Sequence, residues 1–98
     1  MPKGYVVVTE DIHDAAGMAA YERASAKTLA GVRVLVADPQ PQLLEGEWHG
    51  NRTVILEFPS VDAAQAWYDS EGYREAKPLR QGAARSNAVI LTGFEFPA

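Results

Sequence analysis

Three segments of the chain carry apolar side chains on both faces when they are read as β-strands. Tyr5 to Thr9 is a run of aromatic and β-branched residues, and Arg52 to Phe58 and Asn87 to Phe96 repeat the pattern. An antiparallel sheet with one face in water alternates apolar and polar residues instead. The sheet that these strands build therefore needs a cover on each face. Helices of the same chain can cover one face, and a second copy of the chain is the simplest cover for the other.

Two helical segments lie between the strands, one after the first strand and one after the third. Asp14 is placed to cap the first helix, which Gly31 ends, and Ser60 is placed to cap the second. Ser70 opens a further turn or two. We expect Pro78 to end or kink that turn, because proline has no N–H to donate.

The second strand is the least regular one. Val32 to Ala37 is apolar, two prolines interrupt the run within Asp38 to Pro41, and Gln42 to Trp48 resumes an extended pattern. We interpret these residues as one strand with an irregular middle, because a proline in a sheet lies at an edge or a bulge. His49-Gly50-Asn51 is then predicted to be a three-residue hairpin connection to the third strand.

The order strand, helix, strand, strand, helix, strand predicts the fold class. It is the split β-α-β repeat of a ferredoxin-like βαββαβ fold in the α+β class, with a four-stranded antiparallel sheet and helices on one face. A chain of 98 residues is expected to form one domain, residues 1–98. Such a domain buries only about 60–65% of its unfolded surface, which also favours a homodimer.

Composition and charge exclude several classes of function. The chain has no cysteine, and its two histidines, His13 and His49, lack the spacing of a ligand pair, so we expect no metal site and no cofactor. The net charge of −4 argues against nucleic-acid binding, which needs a basic face. No apolar run approaches the roughly 20 residues of a membrane span, so we expect no membrane partner and a cytoplasmic location.

Four stretches together resemble one known family. They are GYVVV near the start, LLEGEWHGNRTVILEFPS from Leu43 to Ser60, AWYDSEGYREAKPLR from Ala66 to Arg80, and NAVILTG from Asn87 to Gly93. Their combination resembles the domain of unknown function 1330 family over nearly the whole chain. The resemblance implies a dimeric α/β barrel in which two ferredoxin-like sheets pack face to face. It implies no single reaction, because related families include cofactor-independent monooxygenases, muconolactone isomerase-like enzymes and proteins that bind small organic molecules.

His49 and Arg52 are the candidate catalytic residues. His49 lies at the predicted hairpin turn, and histidine titrates near neutral pH without help. Arg52 begins the next strand, within reach of Glu45 or Glu47 across the hairpin, and an arginine at a barrel mouth offers paired donors to a carboxylate or phenolate. The alternatives are an ordinary turn histidine and, for the Glu–Arg pair, a structural or solvated ion pair at the sheet rim.

Five residues are candidates for ligand binding. Glu45 and Trp48 lie beside the hairpin, and an aromatic group around the second helix supplies Trp67, Tyr68 and Tyr73. Aromatic walls with a few polar groups are typical of small-molecule sites, although the same aromatic residues also serve as core. Together with the two candidate catalytic residues, they predict one pocket.

Two charged residues, Glu57 and Arg80, each allow two interpretations. Glu57 lies between apolar neighbours and is either a general base or the partner of an arginine of the same sheet. Arg80 either caps the preceding helical turn or lines the pocket.

The favoured function is a small homodimeric protein that binds a small organic molecule. It is either a cofactor-independent monooxygenase- or isomerase-like enzyme, or a non-catalytic binding or assembly module.

Overall fold

The computed structural model describes residues 2–97. Within them, four strands form an antiparallel sheet in the order β2-β3-β1-β4, namely β1 (Gly4–Ile12), β2 (Arg33–Asp38), β3 (Arg52–Phe58) and β4 (Ala84–Thr92). Three helices cover one face of the sheet: α1 (Ala15–Ala26), α2 (Val61–Tyr68) and α3 (Glu71–Ala83). A short 3₁₀ turn, Lys27–Leu29, follows α1. The predicted ferredoxin-like α+β fold is confirmed.

Side-chain caps begin the three helices where the sequence predicts them. The Asp14 carboxylate accepts a hydrogen bond from the backbone N–H of Gly17 at 3.0 Å. The Ser60 hydroxyl accepts one from Ala63 N–H at 3.0 Å, and Ser70 caps α3 in the same way. Each cap satisfies a donor that has no partner within its helix. The local sequence therefore sets where each helix begins.

The end of α3 differs from the prediction. The helix does not stop at Pro78 but continues to Ala83, so the expected end at the proline is wrong. A proline inside a helix removes one backbone hydrogen bond. Here the buried face of the helix, which includes Tyr73, Ala76 and Arg80, packs against the rest of the domain on both sides of the proline. Tertiary packing thus overrides the local preference.

The second strand is shorter than predicted. β2 ends at Asp38, and residues 39–51 form no strand, so the predicted strand over Gln42 to Trp48 and the three-residue hairpin are wrong. The register explains this result, because Asp38 already lies opposite Thr53, one residue from the start of β3. Only Arg52 remains in β3 beyond that pair, so the segment that follows has no strand partner there. The two prolines in that segment also lack the N–H that pairing requires.

The last strand begins and ends earlier than predicted. β4 starts at Ala84 and ends at Thr92, which pairs with Gly4 at the start of β1. Phe94 and Phe96 lie beyond the strand, contact each other edge to face, and are 78% and 85% exposed. The predicted strand to Phe96 is therefore wrong at its end, and beyond Thr92 the Gly93 N–H still donates to the Lys3 carbonyl at 2.7 Å.

The hydrophobic core lies between the sheet and the helices. It contains Val6 and Val8 from β1, Leu56 and Phe58 from β3, and four residues of α2 and α3, which are Ala64, Trp67, Tyr73 and Ala76. The strand residues alternate along β1 and β3, as the period of two in a strand requires. No helix among residues 2–97 is both long enough and apolar enough to cross a membrane.

The opposite face of the sheet has no helix on it. We call it the open face, and Val7, Ile55, Val89 and Leu91 lie on it. Val89 and Leu91 are each 50% exposed. The strands are thus apolar on both faces, as the sequence predicts, and one of these faces is uncovered within a single chain.

Candidate functional site

A cleft lies between α1 and the helix-covered face of the sheet, near the β2 edge. Its volume is about 240 Å³. Most of its wall is apolar and comes from the sheet, the end of α1 and α2, with Val8, Leu29, Val34, Val54, Leu56 and Trp67. We call it the α1 cleft. Because β2 is the edge strand and no helix lies over its end, the cleft opens to solvent on that side.

A buried ion pair forms the polar end of the α1 cleft. Arg52 Nε donates to Glu10 Oε1 at 2.7 Å, and Arg52 Nη1 donates to Glu22 Oε1 at 2.9 Å. Glu10 is only 1% exposed. Glu10 and Arg52 are cross-strand partners in the β1–β3 register, which brings their side chains to the same face.

Hydrogen bonds to two carboxylates favour the charged form of Arg52 and fix the position of its guanidinium. Burial works against that charge, but the hydrogen bonds from Arg52 to Glu10 and Glu22 outweigh it and raise the pKa of Arg52 above its ordinary value. Arg52 is therefore a fixed cation at the end of an apolar cleft. Its carboxylate partners are not Glu45 or Glu47, so the predicted pairing across the hairpin is wrong, and Arg52 instead forms a structural ion pair with Glu10 and Glu22.

The second polar feature at the α1 cleft is a chain of hydrogen-bonded side chains from α1 and α3. The hydroxyls of Tyr21 and Tyr73 are 2.8 Å apart, and Arg80 Nε donates to the Tyr73 hydroxyl at 3.2 Å. Tyr21 lines the cleft, whereas Tyr73 and Arg80 are 1% and 3% exposed. Burial raises the pKa of Tyr21, and the neighbouring Tyr73 hydroxyl adds to that shift. Tyr21 is therefore neutral and able to donate a hydrogen bond.

Sequence reasoning missed Glu10 and Tyr21. The signal for Glu10 was present, because alternation along β1 places it on the same face as Val6 and Val8, and a buried carboxylate needs a cation. Tyr21 had a weaker signal, since it shares the helical spacing of an ordinary core residue with Met18.

The predicted aromatic residues take different places. Trp67 lines the α1 cleft and also packs on Tyr73, with ring centroids 4.1 Å apart. Tyr73 does not line the cleft and contacts two residues that do, Tyr21 and Trp67. Tyr68 packs beside Trp67 and Tyr73, and Lys77 Nζ stands 4.1 Å from its ring centroid. Of the three, Trp67 alone is both core and cleft wall.

The remaining predicted residues lie on the open face. Trp48 Nε1 donates to the Thr53 hydroxyl at 2.9 Å, and His49 Nδ1 lies 2.9 Å from the Thr9 hydroxyl. Glu45 is exposed and borders a surface cavity with Trp48. The sheet separates these three residues from Arg52 and Trp67, so the predicted single pocket does not form. Their role in binding or catalysis stays a prediction.

The loop that carries His49 is tied to the end of β1. The backbone N–H of Asn51 donates to the carbonyl of Glu10 at 2.8 Å, and the Asn51 amide oxygen accepts from Ile12 N–H at 3.1 Å. Gly50 has a φ of 84°, a left-handed conformation that favours glycine. A side chain at this position would also collide with the Glu10 backbone. The tie directs the loop across the open face rather than toward the α1 cleft.

Comparison with known proteins identifies the family. The family model described as Domain of unknown function (DUF1330) matches residues 3–94. The chain belongs to this family. No functionally curated protein matches the sequence.

Solved structures with the same fold include proteins with and without a known activity. A protein of unknown function from Rhodopseudomonas palustris is 24% identical, with a TM-score of 0.76 over 96% of this chain and 84% of that one. SnoaB from Streptomyces nogalater, described as a cofactor-independent oxygenase, is 14% identical, with a TM-score of 0.68 over 98% and 97%. A protein of unknown function from Thermobifida fusca, described as dimeric and ferredoxin-like, is 15% identical, with a TM-score of 0.63 over 93% and 91%. These likenesses establish the fold.

Glu57 of this DUF1330 chain is paired rather than free. Lys3 Nζ lies 3.1 Å from Glu57 Oε1, Arg33 Nη1 lies 3.7 Å from it, and the Tyr5 hydroxyl donates to Oε2 at 3.2 Å. The hydrogen bond from Lys3 is the main cause of the lowered pKa of Glu57. Of its two interpretations, the pairing with an arginine of the same sheet is confirmed. Among residues 2–97, no group of three or more His, Asp or Glu side chains is placed to hold a metal ion.

Proposed function

We propose that this DUF1330 protein binds a small, largely apolar organic molecule in the α1 cleft. The observation that carries the proposal is the cleft itself, whose apolar wall ends at the buried Arg52–Glu10 pair. Small-molecule sites combine apolar walls with a few placed polar groups. A volume of about 240 Å³ suits a molecule of one or two rings.

The hydrogen-bond chain behind the cleft favours a ligand with an oxygen atom. Arg80 has only donors, so Tyr73 accepts from it and keeps its own O–H for Tyr21. In this arrangement Tyr21 accepts from Tyr73, and its own O–H remains for an acceptor in the cleft. The opposite arrangement leaves an unused O–H on Tyr73, which is buried and has no second acceptor among residues 2–97. A phenol or ketone oxygen is the acceptor that suits Tyr21.

The two tryptophans provide a direct test, because they report on opposite faces of the sheet. Trp67 lines the α1 cleft, and Trp48 lies on the open face. We expect p-cresol to shift the indole N–H NMR signal of Trp67 in a saturable way and to leave that of Trp48 unchanged. Toluene, which lacks the oxygen, should bind more weakly. An equal response of both tryptophans, or none, would contradict the proposal.

A pair of substitutions on one helix supplies the control. Ala26 is exposed and borders the α1 cleft, whereas Ala19 is exposed on the same helix and does not line that cleft. Ala26→Phe should fill the cleft and abolish the response of Trp67 to p-cresol. Ala19→Phe adds the same side chain elsewhere and should preserve it. Loss of the response in both variants would indicate a general effect on α1 rather than a filled cleft.

The fold supports an oxygenase-like reaction on the bound molecule, because SnoaB shares the fold and is described as a cofactor-independent oxygenase. A non-catalytic binding role is the second candidate. It is favoured by the engagement of Arg52 with Glu10 and Glu22, because the charged side chains of the cleft lining are then paired with one another. Mass spectrometry of copurifying molecules and an oxygen electrode distinguish the two. Oxygen uptake with the copurified molecule, lost in Ala26→Phe, supports the enzyme.

We also propose that the chain forms a homodimer through the open face. Trp48, Val89 and Leu91 are each at least half exposed there, and apolar patches of this kind mark interfaces. The Thermobifida fusca protein of the same fold is described as dimeric, which supports this proposal. Two sheets packed face to face would bury about 1,600 Å² or more in total, the size of a stable interface.

A further inference from the structure

Arg80 is buried and has no acidic partner. It lies on α3 and is only 3% exposed, yet no carboxylate of residues 2–97 forms a salt bridge with it. Arginine has five N–H donors, and in the same part of the chain one of them is used, the Nε–H that donates to Tyr73. A buried charge without a partner is costly, and each such group in a native structure needs an explanation.

A second polar group without a partner lies on the neighbouring strand. The hydroxyl of Ser86, in β4, is buried and has no hydrogen-bond partner among the described residues. Arg80 and Ser86 line the same cavity of about 440 Å³ between α3 and β4. This cavity is separate from the α1 cleft, which lies at the other edge of the sheet.

The charge of the α3–β4 cavity is positive in an otherwise acidic protein. Its lining includes Arg80 and Arg85 and contains no aspartate or glutamate. The cation of Arg85 is already paired with Asp11 at 3.0 Å, which leaves Arg80 as the cation without a counter-charge. The whole chain, by contrast, carries a net charge of −4.

We propose that the α3–β4 cavity binds a small oxyanion, a carboxylate or a phosphate, through the guanidinium of Arg80 and the hydroxyl of Ser86. The planar fork of an arginine matches the oxygen atoms of both anions, and hydrogen bonds to an ionised group are the strong ones. The anion accepts a hydrogen bond from the Ser86 hydroxyl, which has no partner among the described residues, and pairs with the Arg80 guanidinium, which has no carboxylate partner there. Arg80 also donates to Tyr73, and the Tyr73 hydroxyl is hydrogen-bonded to that of Tyr21. By fixing the position of Arg80, the bound anion therefore also fixes the hydrogen-bond chain that reaches Tyr21.

The test measures the Arg80 side chain directly. Sodium phosphate and sodium acetate are titrated into ¹⁵N-labelled protein, with sodium chloride at equal ionic strength as the reference. We expect a saturable shift of the Arg80 Nε–H signal with at least one oxyanion and none with chloride. The anion that binds should also raise the melting temperature as its concentration increases. The comparison of phosphate with acetate identifies the preferred class, and the absence of a response beyond that of chloride overturns the proposal.

Three variants separate binding from general effects. Arg80→Gln should abolish the anion-dependent rise in melting temperature, whereas Arg74→Gln, on the exposed side of the same helix, should preserve it. Ser86→Ala removes only the unpartnered hydroxyl. It should lower the affinity for the anion about tenfold, as expected for a lost hydrogen bond to a charged group. If Arg80→Gln does not fold, the Ser86→Ala titration decides, and unchanged affinity in Ser86→Ala refutes the assigned site. Neither outcome depends on Trp67, so the proposal for the α1 cleft is tested separately.

Discussion

Removal of Arg52 should destabilise the protein strongly, because it leaves a buried carboxylate without its cation. The Glu10 side chain is 2% exposed and that of Arg52 is 18% exposed. Loss of one partner of a buried ion pair costs about 3–5 kcal/mol. Since water reaches part of Arg52, we expect Arg52→Met to lower the free energy of unfolding by about 3 kcal/mol, the lower end of that range. This is a large share of the roughly 5–15 kcal/mol that stabilises a typical domain.

A second pair of the same chemistry provides the control. Arg85 Nη2 lies 3.0 Å from Asp11 Oδ2, but the side chain of Arg85 is 82% exposed. Arg85→Met should therefore cost at most about 1 kcal/mol, as exposed ion pairs do. The double variant Glu10→Leu/Arg52→Met replaces both charges with apolar groups and should regain most of the loss.

Equilibrium unfolding in urea, followed by circular dichroism, measures these differences. All variants are compared at one protein concentration, because the stability of a homodimer, which we propose for this chain, would depend on concentration. If Arg52→Met costs no more than Arg85→Met, the buried pair does not stabilise the fold in the way that we infer. If the double variant is as unstable as the single one, the loss comes from packing rather than from the unpaired carboxylate.

Four further predictions follow from the same structure. Trp67→Ala should cost about 3–5 kcal/mol in urea unfolding, the usual loss for a buried aromatic residue, and a cost below 1 kcal/mol would contradict its place in the core. Leu91→Asp, on the open face, should give monomeric, aggregated or unfolded chains in sedimentation experiments, whereas a stable dimer would refute the proposed interface. Because its pKa is lowered in the folded protein, the Glu57 carboxylate stabilises the fold at pH values above its ordinary pKa of 4.5, and this contribution is lost as the pH falls below that value. The difference in melting temperature between the unchanged protein and Glu57→Gln should therefore shrink on acidification. Exhaustive treatment with a chelator should leave the melting temperature unchanged, and a loss that one metal restores would contradict the absence of a metal site.

The local features of this protein could be predicted from the sequence. The caps at Asp14, Ser60 and Ser70 act on donors three residues away, so a short window contains the whole interaction. The apolar strands follow a period of two, which the sequence displays directly. The same pattern predicted the uncovered face and hence a partner for it.

The candidate site depends on contacts between residues that are far apart in the chain. The pairing of Glu10 with Arg52 follows from the register of β1 and β3, and the sheet then places Trp48 and His49 on the opposite face. A shift of the β1–β3 register by one residue would exchange these two faces. No local sequence pattern specifies the face on which a loop after a broken strand lies.

The buried polar groups are likewise a product of tertiary structure. Tyr21, Tyr73 and Arg80 come from two helices and meet only when α1 and α3 pack side by side. The sequence leaves Tyr73 open between core and ligand binding and Arg80 open between a cap and a pocket wall, because a helix places an aromatic residue inward whether or not its hydroxyl finds a partner. The sequence by itself determined where the helices begin and that both faces of the sheet are apolar. The packing of distant elements decided where the strands end, which charges are buried and which cavity they line.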